Sequence, residues 1–289
     1  SLVSNMTWIG GIEGSVSRKY NNDFRVVSQG VNSGQTVRYG YDTDGLLIRA
    51  GALSIDRHPK SGWIVGSTLA NLTTAQEFTG FGEIKALRAA FNSKELLAVQ
   101  YERDLLGRII KKAETIGGRT LTYVYGYDRA GRLADVSHNG KNTAHYDYDG
   151  NGNRLKYNGP NGTLRGSYDT QDRMLEYGDV TYKHAGDGEW LSQTTNGKSA
   201  AYDYDVIGNL RSTVLADGTK IEYLIDGRNR RIGKKVNGKL VQGFLYQDAL
   251  RPIVEMDGQN NIVSRFVYAT NVNVPDYMEK GGKTYRIIT

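Results

Sequence analysis

The amino-acid sequence predicts an all-β protein, built as a continuous array of antiparallel hairpins. Three observations support this prediction. A tyrosine-rich strand motif recurs about every 21 residues, a spacing typical of repeat arrays. Dipeptides that favour hairpin turns recur between the copies at nearly the same spacing. Glycine is abundant, with 36 residues in a chain of 289, whereas only 4 prolines interrupt the strands.

The repeated motif is clearest in residues 146–154, where tyrosine and aspartate alternate before a glycine-rich turn. In an extended strand, Tyr146 and Tyr148 share one face, while Asp147 and Asp149 share the other. Gly152 then predicts a reversal of the chain. The positions that we assign to the structural repeat are Tyr41, Asp42, Tyr101, Tyr127, Asp128, Gly131, Arg132, Tyr148, Asp149, Gly152, Tyr168, Tyr204, Asp205, Gly208, Tyr246 and Tyr268.

Two gaps between copies are longer than one unit. The step from Tyr41 to Tyr101 is close to three units, and the pattern is looser over residues 46–98. We interpret this stretch as three repeats whose aromatic residues have drifted. The step from Tyr168 to Tyr204 predicts one unit and a short one around Tyr182.

A second series of turn signals alternates with the tyrosines. Asn-Gly and Asp-Gly are the dipeptides that type I′ hairpin turns favour, because both central residues need positive φ. Each unit is therefore predicted to be a strand, a turn at Gly-Arg or Gly-Asn, a second strand and a type I′ turn. The predicted type I′ turns are at Asn139-Gly140, Asn161-Gly162, Asn196-Gly197, Asp217-Gly218, Asn237-Gly238 and Asp257-Gly258.

Taken in order, residues 1–40 already alternate like strands. Residues 86–98 have high helix propensity, but the surrounding array favours strand, with a short helical turn as the alternative. Residues 120–127 give the clearest predicted strand, and residues 283–289 predict a last one. Because the repeat extends almost from end to end, we expect residues 1–289 to form a single continuous segment, cut from a longer protein.

Composition limits the function classes. Tyrosine outnumbers phenylalanine by 20 to 6 and mean hydropathy is −0.53, which favours a partly wet sheet without a deep dry core. The net charge is +6, and the arginines are dispersed along the chain. We therefore expect the arginines to form a solvated face or to pair with the repeat aspartates, rather than to bind nucleic acid. Cysteine is absent, which excludes disulfide and thiol chemistry. No stretch approaches 18 apolar residues, so we expect no membrane insertion by this segment.

One stretch resembles a calcium loop. Asp147, Asp149 and Asn151, followed by glycine, match the first ligand positions of an EF-hand. The twelfth position is Asn158 rather than glutamate, Arg154 adds positive charge, and the flanks are predicted strands. Turn chemistry of the repeat is therefore the favoured interpretation, and these three residues are only a weak candidate metal site.

Other catalytic signals are weak. The histidines lack zinc-site spacing, and Gly66-Ser67 is not followed by the second glycine of a nucleophile elbow. We therefore expect no catalytic residues, no cofactor and no enzyme activity. The four histidines are His58, His138, His145 and His184.

Residues 125–133, with the sequence YGYDRAGRL, resemble the repeat of the YD-repeat proteins of the Rhs family, and residues 39–51 are also similar to it. This family includes shell-forming components of bacterial insecticidal toxin complexes and the teneurins. The resemblance implies a sheet that spirals into a shell, as a hollow barrel or partial cocoon, around a C-terminal toxic polypeptide. It also implies secretion or display at the bacterial cell surface. The family's self-cleavage is not carried over, because no Asp-Pro-x-Gly motif is present.

The sequence thus favours a structural role, as part of a shell that encloses or presents a polypeptide cargo together with the remaining shell segments of the same parent. A binding module that recognises a glycan or a protein through exposed tyrosines is the alternative. An enzyme is a third possibility, if the activity belongs to the whole parent protein.

Overall fold

A computed structural model of the chain describes residues 2–34 and 36–289, and within them it contains 28 β-strands and no helix. The all-β class is confirmed, including strands where residues 86–98 had helix propensity. No described segment forms an apolar helix long enough to span a membrane.

The strands fall into two compact units. Unit 1 comprises residues 1–73 and 203–289, and unit 2 comprises residues 74–202. Strands β8 and β20 cross the boundaries between them. The first seven strands are β1 (Asn5–Trp8), β2 (Gly14–Tyr20), β3 (Val26–Val31), β4 (Thr36–Tyr41), β5 (Leu47–Ala50), β6 (Leu53–Arg57) and β7 (Ile64–Leu69).

Unit 2 holds the middle of the chain. Its strands are β8 (Leu72–Phe78), β9 (Ile84–Phe91), β10 (Lys94–Arg103), β11 (Ile109–Ile116), β12 (Arg119–Tyr127), β13 (Leu133–His138), β14 (Lys141–Tyr148), β15 (Arg154–Gly159), β16 (Gly162–Tyr168), β17 (Met174–Tyr177), β18 (Val180–His184), β19 (Trp190–Thr195) and β20 (Lys198–Tyr204).

The last eight strands complete unit 1. They are β21 (Leu210–Val214), β22 (Lys220–Ile225), β23 (Arg231–Val236), β24 (Lys239–Tyr246), β25 (Pro252–Met256), β26 (Ile262–Val267), β27 (Tyr277–Lys280) and β28 (Lys283–Arg286).

Strands that are neighbours in the chain pair with each other, and every described pair is antiparallel. The pairings run from β1 to β7, from β9 to β20 and from β21 to β28. Before the longer turn of a repeat the register shifts by one residue: Asp147 pairs with Lys156, whereas Tyr148 pairs with Arg154. Such a bulge increases strand twist locally. The predicted array of antiparallel hairpins is therefore confirmed.

Three of the six predicted type I′ turns have both central residues at positive φ, and these are Asn139-Gly140, Asn196-Gly197 and Asn237-Gly238. The other three predictions are wrong. Asn161-Gly162 is displaced because Pro160 takes the first central position of that turn and proline fixes φ at a negative value. Asp217-Gly218 and Asp257-Gly258 lie instead in the longer turn of the repeat, where only Gly218 and Asn260 have positive φ.

Unit 1 contains a dry core in which the first strands pack against the last ones. One cluster joins residues near the N-terminus to the C-terminal repeats, and a second does the same around Tyr277. The expectation of a sheet without a deep dry core is wrong for this unit, because the packing joins residues more than 200 positions apart. The buried members of the two clusters are Trp8, Ile12, Val16, Val31, Leu245, Ile253, Val254, Met256 and Tyr268, and then Ala50, Leu53, Ile55, Leu69, Val267 and Tyr277.

Two glycines make room for the side chain of Ile12. Gly233 and Gly243 are direct cross-strand partners in β23 and β24. A Cβ atom added to Gly243 would lie 2.6 Å from Cδ1 of Ile12, and one added to Gly233 would lie 3.2 Å from the same atom. The bare backbone at these two positions therefore forms the seat for Ile12.

Unit 2 buries less apolar surface. Its buried hydrophobic residues are Ala86, Leu87, Ala89, Val99 and Ala144, and three of these are alanines. Most of its other strand residues are half-buried or exposed. Its order therefore depends strongly on contacts between successive repeats.

We expect Ile12→Ala to lower the free energy of unfolding by about 2–5 kcal/mol, because it leaves a cavity over the two glycines. Ile9 provides the matched control, since it lies in the same connection between β1 and β2 but is 90% exposed, whereas Ile12 is 1% exposed. Ile9→Ala should change the free energy by less than about 0.5 kcal/mol. Urea unfolding measures both values, and equal effects would contradict the proposed seat.

Candidate functional site

The repeated turn is the feature that the chain builds most often, and the turn at Asp149 shows its geometry. The Asp149 N–H donates to the Asn153 carbonyl at 3.0 Å, and the Gly152 N–H donates to the Asp149 carbonyl at 3.3 Å. The Asp149 Oδ1 atom accepts the N–H groups of Asn151 and Asn153, both at 2.9 Å. Asp149 is thus a turn cap and does not share a strand face with Asp147, contrary to the alternation that the sequence suggests.

Gly152 occupies the position of this turn that needs positive φ, with a value of +96°. Most other repeats place glycine, asparagine or aspartate there, which are the residues that tolerate this conformation best, although the turn at Asn21 places Phe24 there with φ of 62°. Predicted repeat glycines Gly131 and Gly208 take this role, with φ of 81° and 85°. Aspartates cap seven further turns, and each accepts both of these backbone N–H groups or only the second one. They are Asp42, Asp104, Asp128, Asp169, Asp205, Asp226 and Asp257.

The looser stretch over residues 46–98 keeps the turn but changes the cap. His58 Nδ1 accepts the N–H groups of Lys60 and Ser61 at 3.4 and 3.2 Å. Thr79 Oγ1 accepts two backbone N–H groups at 3.3 Å in the same manner. These two capped turns are consistent with three drifted repeats, which stays our interpretation of this stretch. The short unit around Tyr182 is confirmed, since it ends in a backbone-only turn at Ala185.

At several turns an arginine connects the turn to the next repeat. Arg132 donates through Nε to Asp128 Oδ2 at 2.7 Å and through Nη1 to the Asp149 carbonyl at 2.7 Å. Its guanidinium carbon lies 4.7 Å from the centre of the Tyr148 ring, within the range of a cation–π contact. We call this set the arginine clamp: a cap aspartate, an arginine that follows it, and the carbonyl and tyrosine of the next repeat.

Further arginine clamps occur along the chain. Arg230 is the most buried, at 6% exposure; it binds Asp226, donates to the Asp248 carbonyl and lies between the rings of Tyr246 and Trp8. Sequence reasoning identified Arg132 but missed the other members, although the spacing of four residues after the aspartate could have found most of them. Partial sets are centred on Arg108, Arg173 and Arg251.

The second tyrosine of the motif fastens a repeat to the one before it. The Tyr148 hydroxyl donates to the Leu133 carbonyl at 2.8 Å. Tyr101 makes a different contact: its ring centre lies 5.5 Å from the guanidinium carbon of Arg103. Tyr204 ends β20 directly before the cap Asp205. The same hydroxyl-to-carbonyl bond, at 2.6–3.1 Å, is made by Tyr41, Tyr127, Tyr168, Tyr246 and Tyr268.

The electrostatics of the turn keep the cap ionised. Hydrogen bonds from the Asn153 side chain and from backbone N–H groups hold the pKa of Asp149 below its usual value. At Asp128, the backbone and side chain of Arg132 lower the carboxyl pKa in the same way. Burial raises the pKa of the Tyr148 phenol. At neutral pH the cap is therefore an anion that accepts bonds, and the tyrosine is a neutral donor.

The structure assigns different partners to the three weak calcium candidates. Asp147 Oδ1 lies 3.2 Å from His145 Nε2, Asp149 caps the turn, and Asn151 donates to Asp172 Oδ1 of the next repeat at 2.8 Å. Among the described residues, no group of three or more histidine, aspartate and glutamate side chains is arranged to hold a metal. That no metal binds at this loop stays a prediction.

One histidine bridges two carboxylates on neighbouring strands, which spacing alone did not indicate. His145 Nδ1 lies 2.8 Å from Asp135 Oδ1, and Asp147 contacts the other ring nitrogen. Lys156 on β15 also faces Asp147, at 3.7 Å. The hydrogen bond to Asp135, assisted by that to Asp147, raises the pKa of the imidazole.

Comparison with known proteins identifies the family of this chain. A family model described as Teneurin YD-shell matches residues 2–289. The chain belongs to the teneurin YD-shell family. The resemblance inferred from the Tyr-x-Tyr-Asp motif is thereby confirmed.

Relatives of this YD-shell chain include mouse teneurin-4, which is 30% identical over 244 residues, covering 81% of this chain and 8% of that protein. The tRNA3(Ser)-specific nuclease WapA of Bacillus spizizenii is 26% identical over 165 residues, covering 55% of this chain and 7% of the nuclease. The chain thus spans less than a tenth of the length of these relatives.

Solved structures share the fold. The TcdB2-TccC3 complex without its hypervariable C-terminal region matches with a TM-score of 0.55 at 11% identity, covering 94% of this chain and 21% of that chain. The Photorhabdus luminescens Tc holotoxin pore matches with a TM-score of 0.53 at 12% identity, covering 94% and 19%. The YD-shell chain therefore has the shell fold that its sequence predicts.

Gly152→Val should lower the free energy of unfolding by about 1–3 kcal/mol, because a β-branched residue is strained at φ of +96°. Gly150 in the same turn is the matched control: its φ is outside the positive region, and an added Cβ meets nothing within 4 Å. Gly150→Val should therefore be nearly neutral. Chemical unfolding of both variants decides the point, and equal losses would show that φ at Gly152 is not the constraint.

The pKa of His145 should exceed the ordinary histidine value of 6.5 and fall in Asp135→Asn. Because the pKa of His145 is raised in the folded state, protonated His145 stabilises the fold. This stabilisation is complete at a pH below the pKa of the unfolded state and is lost as the pH rises through the pKa of the folded state. A pH titration followed by NMR measures this shift. Asp203→Asn is the control, since Asp203 pairs with Arg211 instead. An unchanged His145 pKa in Asp135→Asn would contradict the assignment.

Proposed function

We propose that this chain is one continuous wall segment, residues 1–289, of a secreted or cell-surface shell that encloses or presents another polypeptide of the same parent. The observation that carries the proposal is the arginine clamp, which, in complete or partial form, joins a repeat to the next at Arg108, Arg132, Arg173, Arg230 and Arg251. Its aspartates, arginines and tyrosines are committed to holding neighbouring strands together. A side-chain set used in this way builds a wall, and we assign the repeat residues a structural role rather than a catalytic one.

The comparisons support a shell role in coarser terms. The chain belongs to a YD-shell family and has the fold of Tc toxin complexes. One matched structure contains TcdB2, TccC3 and Cdc42, and another lacks a hypervariable C-terminal region, so these shells occur with further polypeptide segments. The chain covers only about a fifth of those structures. That it encloses a polypeptide, is secreted and curves into a barrel or cocoon is therefore our proposal.

The clamps suit a wall whose inner surface must tolerate a client. Arg132 and Arg173 lie in unit 2, where most strand residues are half-buried or exposed. Each guanidinium satisfies a carboxylate and a backbone carbonyl, so the turns need no packed partner to stay ordered.

Limited proteolysis of the parent protein with proteinase K tests enclosure. The double variant Arg132→Gln and Arg173→Gln should expose the enclosed polypeptide, which should then be cleaved several times faster than in the wild type. Arg211→Gln is the matched control, because Arg211 is exposed and lies 3.7 Å from Asp203 outside any clamp. It should leave the protection unchanged.

Two results would overturn the proposal. Protection that is the same with and without residues 1–289 would count against enclosure by this segment. A hydrolytic or transferase activity of the purified segment would count against a purely structural role.

A further inference from the structure

A cleft in unit 1 lies beside the repeat turn at Asp248 and shares Arg251 and Tyr268 with it. It has a volume of about 370 Å³, is open to solvent, and lies where β2–β5 face the turn after β24 and the end of β26. We call it the arginine–tyrosine cleft. Its walls include Arg18, Gln29, Tyr39, Tyr41, Arg251 and Tyr268.

Hydrogen bonds hold the polar walls of the cleft in place. Arg18 Nε donates to Gln29 Oε1 at 3.3 Å, and its Nη2 donates to the Gln247 carbonyl. The Gln29 amide donates to Gln247 Oε1 at 3.1 Å. Arg251 is held by Asp248, with Nε 2.7 Å from Oδ2. These side chains are therefore oriented before any ligand arrives, which reduces the ordering that binding requires.

The tyrosines of the cleft differ in what their hydroxyls do. Those of Tyr41 and Tyr268 donate to the carbonyls of Val26 and Pro252. The Tyr39 hydroxyl has no hydrogen-bond partner within the part of the chain that the structure describes. Burial raises the pKa of Tyr39 to about 12, so this hydroxyl is a protonated donor at neutral pH. A ligand acceptor in the cleft would satisfy it.

The charge of the cleft selects the kind of ligand. Arg18 and Arg251 contribute two positive charges and Asp248 one negative charge, which leaves one positive charge in excess. Each guanidinium has five N–H donors, and the bonds described above leave donors on both arginines for a ligand. A single carboxylate would balance the charge and accept from these groups.

We propose that the arginine–tyrosine cleft binds a sugar acid through its carboxylate and hydroxyl groups. The volume is at the low end of small-molecule sites and suits about one sugar residue. The ring of Tyr41 provides apolar surface for the C–H face of a sugar, and the Tyr39 hydroxyl can donate to one of the sugar's oxygens. This inference does not depend on enclosure of a polypeptide by the shell.

Calorimetric titration of the 289-residue chain with glucuronate tests the proposal. Glucuronate should bind saturably, and glucose, which lacks the carboxylate, should bind at least about tenfold more weakly. Tyr39→Phe should weaken glucuronate binding by about fivefold to tenfold, since it removes one hydrogen bond and keeps the ring. Tyr127→Phe removes a repeat hydroxyl outside the cleft and should leave the affinity unchanged.

Three outcomes would overturn the proposal. The first is an absence of glucuronate binding by a folded chain, and the second is equal affinity of Tyr39→Phe and the wild type. The third is an N-acetylglutamate affinity equal to that of glucuronate, which would mean that the cleft recognises a carboxylate from a peptide as well as from a sugar. Folding of every variant is checked by its far-ultraviolet circular dichroism.

Discussion

An arginine held by its own aspartate and by the next repeat is the contact on which the array depends. The guanidinium is planar and has donors on three nitrogens, so Arg132 bonds the Asp128 carboxylate and the Asp149 carbonyl while its face covers Tyr148. Lysine, with a single ammonium group, lacks this geometry. Where the clamp is buried, as at Arg230, removal of one partner would leave an uncompensated charge, which is among the most destabilising single changes.

The two units combine this contact with apolar packing in different proportions. In unit 1, Ile12 fills the seat over Gly233 and Gly243, and Tyr277 is buried against β5 and β6. Unit 2 buries few large apolar side chains. It relies on arginine clamps, on hydrogen bonds from tyrosine hydroxyls and on backbone hydrogen bonds between strands. Local opening is expected to be easier where burial is lower, so unit 2 is the part whose order depends most on the repeat contacts.

The repeat tolerates sequence drift because each position has a physical requirement that more than one residue meets. The cap needs an acceptor close to two backbone N–H groups, and His58 or Thr79 provides one in place of aspartate. Asparagine replaces the arginine in three turns, at Asn153, Asn209 and Asn261. Asn153 bonds the Asp149 carboxylate and also donates to Asp172 of the next repeat. Only the positive-φ position restricts the side chain by backbone strain, which explains why Gly152 and its equivalents are so often glycine.

The sequence by itself determined the features that depend on neighbouring residues. The alternation of residues 146–148 and the Asn139-Gly140 turn follow from local geometry, so the all-β class and the hairpin array were predictable. The tertiary structure alone decided the seat of Ile12, the bridge at His145 and the arginine–tyrosine cleft. Their partners are brought together only when strands pair and pack, since Ile12 and Gly243, for example, are separated by more than 200 residues and no local pattern links them.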